Sequence, residues 1–82
     1  MSIMLEILYH SPHDPERETR IAATLNSFGG CLTYREEPAT DSLARTVCLT
    51  YEFAERDSAE TAANQLRNLG EHVEGPMDYG GD

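Results

Sequence analysis

The stretch Leu43 to Ala54, LARTVCLTYEFA, decides the fold. Leu43, Val47, Leu49, Tyr51 and Phe53 fall on its odd side, and Thr46, Cys48, Thr50 and Glu52 on its even side. Successive side chains of a strand point to opposite faces, so this period of two predicts a long strand with one apolar face. Such a face must be covered by other apolar elements.

Upstream, Ser2 to His10 reads as a second strand of this kind, with Ile3, Leu5, Ile7 and Tyr9 on one side and Met4, Glu6, Leu8 and His10 on the other. Ser11 and Asp14 each precede a proline, and either can cap the helix that follows, because proline at the first helical position loses no hydrogen bond. Glu16 and Glu18 occupy the first turn, where the helix dipole favours acids. Ile21, Ala22, Leu25 and Phe28 form one stripe, and Gly29-Gly30 ends the helix. Cys31 to Glu37 is predicted as a strand from the alternation of Leu32 and Tyr34, and Pro38 to Ser42 (PATDS) as a turn.

Downstream, Asp57 with Glu60 three residues later predicts a capping box, with Asp in the Ser/Thr position. Ala59, Ala62, Ala63, Leu66 and Leu69 supply a second helical stripe that ends at Gly70. His72 to Met77 is a short last strand interrupted by Gly75 and Pro76, and proline places it at a sheet edge. The tail 78–82 (DYGGD) is expected to fray.

The order is thus β-α-β-β-α-β. A shift of 41 residues pairs Leu8 with Leu49, Ala22 with Ala63, Leu25 with Leu66, Phe28 with Leu69, Gly29 with Gly70 and Leu32 with Val73. Two βαβ halves presenting core positions at one offset match the ferredoxin-like split βαβ plan: α+β, a four-stranded antiparallel sheet with both helices on one face. The first and third strands should be central, and the second and fourth should be edges. With 82 residues the chain has room for a single domain, residues 1–82.

Composition narrows function more than it names it. Fifteen acids oppose six bases, every base is arginine, and the formal charge is −9. Nucleic-acid modules rely on clustered Lys and Arg, so no nucleic-acid partner is expected. Apolar runs fall far short of the roughly 20 residues that span a membrane, and no basic-then-apolar leader is present. No membrane association is expected, and the expected compartment is the cytoplasm. Cys31 and Cys48 are too few and too far apart for a disulfide scaffold, and read as small half-buried residues of strands.

Catalytic and metal chemistries find little support in the residues. His10, His13, Asp14 and Glu16 could offer nitrogen and carboxylate ligands to zinc. No second pair backs them, and the Cys-x-x-Cys of copper chaperones is absent from this loop. The expectation is therefore a polar loop with a capping acid, and no metal or cofactor. Tyr9 to Asp14 contains no glycine and no arginine, so it cannot build the backbone nest of an acylphosphatase-type site. Glu6 and Glu52, on adjacent central strands, could form a carboxylate dyad, but on an open face without a pocket. Bases need aromatic side chains on the central strands for stacking, and the even face offers none. No enzymatic activity is expected.

What remains is surface. Met4, Leu8 and Cys48 should form an apolar strip on the uncovered sheet face, flanked by Glu6, Glu52, His10, Thr33 and Arg35. Around it lie acids of the helix starts (Asp14, Glu16, Glu18, Glu55, Asp57 and Glu60) and of the edge strand (Glu36 and Glu37). Such faces are often closed by a partner or a second copy. The sequence thus points to a small, acidic, non-catalytic protein-binding module. Its candidate contact residues are Met4, Glu6, Leu8, Cys48, Glu52, Asp57 and Glu60. A basic, DNA- or RNA-handling protein is the sharpest partner, bound by an inhibitor that mimics nucleic acid. Two plainer readings stand beside it: acids that only solubilise a small core, and a homodimer through the open face that senses a small molecule or regulates.

Overall fold

The computed structural model describes residues 2–10, 12–38 and 45–79. Their elements are β1 (Ser2–His10), α1 (Pro15–Ser27), β2 (Cys31–Glu36), β3 (Thr46–Phe53), α2 (Arg56–Asn68) and β4 (His72–Tyr79). All strand pairs are antiparallel, and the spatial order β2-β3-β1-β4 makes β1 and β3 central. This is the ferredoxin-like α+β layout. Leu43, the turn beyond Pro38, Ser11 as an alternative cap, and the end of the tail from Gly80 lie outside the described residues.

The core follows from the two-residue period. Ile3, Leu5, Ile7 and Tyr9 of β1 and Val47, Leu49, Tyr51 and Phe53 of β3 are all buried. Ile21 and Leu25 of α1 and Ala59, Ala62, Ala63 and Leu66 of α2 cover them, with Ala22 and Phe28 packed at the margin. The alanines let α2 lie close to the sheet. Gly30 is needed for a similar reason, since a Cβ there would stand 2.5 Å from the Phe53 ring.

Both helices stop alike. The Gly30 amide donates to Leu25 O and the Gly29 amide to Asn26 O, and in α2 Glu71 and Gly70 donate to Leu66 and Arg67 in the same pattern. This is the Schellman arrangement, with Gly29 and Gly70 at positive φ of 89° and 93°. The 41-residue offset therefore holds for the helices and their stops. It fails for the strands, because Leu49 is buried while its counterpart Leu8 lies on the opposite face of the sheet. Leu69, the counterpart of Phe28, is 67% exposed.

The helix starts differ from each other. Asp14 caps α1, its side chain accepting from the Arg17 amide at 3.1 Å with Pro15 first in the helix. The capping box predicted for Asp57 and Glu60 does not form. The helix begins two residues earlier than that box requires, Glu55 is the N-cap without a side-chain bond, and Asp57 lies in the first turn. Acids are favoured by the dipole at either place, so the Asp-x-x-Glu spacing fits both.

Three strand expectations also change. β2 ends at Glu36 rather than Glu37. Its register against β3 shifts between Leu32 and Tyr34, so Tyr34 pairs with Thr50 and Arg35 with Leu49. A bulge of this kind turns every later side chain to the other face. β4 continues past Gly75 and Pro76 to Tyr79, because Ile3 and Ser2 of β1 extend the ladder to Asp78 and Tyr79. The first residues of the presumed frayed tail are thus paired strand, and the proline does lie in an edge strand.

Candidate functional site

The uncovered face of the sheet runs in cross-strand rows from the Ser2–Tyr79 pair at one end to His10 and Thr46 at the other. Cys31, Glu52, Met4 and Met77 make the first row across all four strands; Tyr34, Thr50, Glu6 and Glu74 the second; Glu36, Cys48, Leu8 and His72 the third. His10 and Thr46 follow at the end where β1 finishes. Of the predicted contact residues, Met4, Glu6, Leu8, Cys48 and Glu52 come together here, all partly exposed. Asp57 and Glu60 do not join them. They are exposed on α2, in the layer on the other side of the sheet.

Three details of this face depart from expectation. The apolar strip is divided, because Glu6 stands between Met4 and Leu8 on β1. Glu6 and Glu52 are not directly opposed, since Glu6 faces Thr50 and Glu52 faces Met4. The opposed carboxylates are instead Glu6 and Glu74 on β1 and β4. Arg35 also leaves the face. The bulge beside Thr33, whose hydroxyl reaches Thr50 O at 3.3 Å, sends Arg35 to the helix side and brings Tyr34 out at 59% exposure.

The consequence is electrostatic. Among the described strand residues this face holds Glu6, Glu36, Glu52 and Glu74, with His10 and His72 as its only basic groups and no arginine. His72 approaches Glu74, Nε2 to Oε2 3.2 Å. The Cys48 thiol titrates above its ordinary value, first through burial and then through the field of Glu6. Thiolate, the nucleophilic form, is thereby disfavoured.

On the helix side, the carboxylate of Glu18 gathers a second cluster. Arg35 donates to it twice, Nε to Oε1 and Nη2 to Oε2, each at 2.8 Å. The Tyr9 hydroxyl donates to the same carboxylate and accepts from the Asp14 amide at 3.1 Å. His13 stands 3.6 Å away, and Arg35 also pairs with Glu37. The Arg35 hydrogen bonds hold Glu18 below the usual carboxylate range, while burial and Glu18 raise Tyr9. This cluster ties β1, α1 and β2 together. It also withdraws Glu18, and in its capping role Asp14, from the acids offered to a partner.

No group of three His, Cys, Asp or Glu side chains among the described residues is placed to hold a metal ion. No described helix is long and apolar enough to cross a membrane. Compared with known proteins, the chain matches no protein-family model and no curated sequence.

Proposed function

We propose that the protein is a small acidic binding module that acts without catalysis by docking a basic protein surface on its open sheet face. The observation that carries this reading is the charge of that face: four carboxylates around Met4, Leu8, Cys48 and Tyr34, and no arginine from any described strand residue. Carboxylates opposed as Glu6 and Glu74 are tolerated at a cost in the free protein, because like charges directly across a strand pair repel. A cationic partner relieves that repulsion. A second copy of the chain on the same face brings carboxylates against carboxylates, so charge disfavours the homodimer. Among basic partners, a DNA- or RNA-handling protein suits the site best, since its own surface is built to meet rows of negative charge. On that reading the module is an inhibitor standing in for nucleic acid.

An oligoarginine peptide serves as the probe. Titrated into the isotopically labelled protein, it should shift the amides of Glu6, Cys48, Glu52 and Glu74. Its affinity should fall as salt rises, because exposed charges are screened beyond about 10 Å at 0.1 M. Sedimentation should show a monomer. A salt-insensitive dimer that is broken by Leu8→Asp would favour the regulatory homodimer instead.

A further inference from the structure

We propose that the pocket at the end of the sheet where β1 finishes and β3 and β4 begin binds a small organic oxyanion, its acid group held by Arg17 and its apolar body against Leu8. The pocket measures about 390 Å³ and is lined by Leu8, Tyr9, His10, Arg17, Thr46, Gly70 and His72. That volume lies within the range of small-molecule sites. The lining is unlike the rest of the molecule. On a chain of charge −9 it gathers one arginine and two of the three histidines, and among the described residues no carboxylate lines it. Two acids that contact its lining residues are occupied: Glu71 takes the Arg17 Nε–H at 2.9 and 3.2 Å, and Glu74 pairs with His72.

Arg17 is set in advance for this role. Its guanidinium lies 5.3 Å above the Tyr9 ring, and the Schellman turn of α2 places Glu71 to grip its Nε. With Nε engaged, the fork of terminal amino groups is the part of the side chain that matches a planar carboxylate or a phosphate. The imidazoles of His10 and His72 and the hydroxyl of Thr46 add hydrogen-bonding groups, and Leu8 supplies the apolar wall. The inference does not rest on the basic-partner reading, although Leu8 and His72 belong to both surfaces.

The test is an amide-shift titration of the whole chain with benzoate and with phenyl phosphate, using phenol as the uncharged control. Saturable shifts should be confined to Tyr9, His10, Arg17, Thr46, Gly70 and His72, with a dissociation constant on the order of 1 mM or tighter for at least one acid. The tighter of the two identifies the acid group. Phenol should not saturate. Arg17→Gln should weaken binding at least about tenfold, the scale of one charge-assisted hydrogen bond. A His10→Gln/His72→Gln double variant, which leaves the Glu71 contact intact, should weaken it as well and serves if Arg17→Gln fails to fold. No saturable shift with either acid, shifts spread over the surface, or affinity unchanged in the variants would overturn the proposal.

Discussion

The two faces of one sheet obey different rules. On the helix side, β1 and β3 present apolar side chains that are almost completely buried, and each is fixed by packing. On the open side the same two strands present Met4, Glu6, Leu8, Cys48 and Glu52 half-buried, and electrostatics rather than packing distinguishes one position from the next. The covered face holds the chain together, and the open face is free to carry recognition. Leucines in adjacent cross-strand rows show the difference most sharply. Leu49→Ala should cost on the order of 2–5 kcal/mol, since it opens a cavity at a fully buried site. Leu8→Ala should cost about 1 kcal/mol or less, because Leu8 lies on the half-exposed face. Chemical denaturation of both variants checks this, and equal losses would erase the distinction.

The next effect concerns the polar margin of the covered face. Glu18, its side chain 17% exposed, is bonded to Arg35 and Tyr9. Its folded pKa lies below its unfolded value, so its stabilisation is complete above the ordinary carboxylate range of about 4.3 and is lost as pH falls through the folded value. Glu18→Gln should therefore destabilise at pH 7 by about 1–3 kcal/mol, and its deficit against wild type should shrink on acidification. Melting temperatures measured across the acid range test the sign. A deficit that grows as pH falls would contradict it.

How much of this was legible in the sequence follows the same division. Period-two apolar runs are reliable where a face is fully buried, and in β1 and β3 they mark the same two faces that the structure has. The edge strand β2 has little burial to enforce a pattern, with Leu32 and Tyr34 47% and 59% exposed. Its bulge leaves no mark in the residues, so simple alternation puts Arg35 on the open face, where the structure has Tyr34 instead. Glu74 was missed for a related reason, because only the β1–β4 register, with its shift between Met4 and Glu6, reveals that it faces Glu6. Nothing in the sequence around Arg17 marks it for a site. Its position is set by Tyr9 and Glu71, which are distant in sequence, and no local spacing announces them.

The smallest stability effect compares the helix starts. Asp14→Ala removes a side-chain cap and should cost about 0.5–2 kcal/mol, whereas Asp57→Ala, which loses only a favourable place in the dipole, should cost about 0.3–1 kcal/mol at low salt and less at high salt. Thermal melts at two salt concentrations distinguish them. A larger loss for Asp57 would restore the capping box.

The central claim is that recognition belongs to the open sheet face and not to acidity in general. It is tested most directly by comparing two charge-matched double variants, Glu6→Gln/Glu74→Gln on the open face and Asp57→Asn/Glu60→Gln on α2. Calorimetry with an oligoarginine peptide at low and physiological salt provides the readout. Both variants lose the same formal charge, so a long-range effect of net charge cancels between them. The account predicts that the open-face variant loses at least about tenfold in affinity, the equivalent of roughly 1.4 kcal/mol, while the helix variant stays within about twofold of wild type. Equal losses in the two variants, or a greater loss on α2, would contradict it.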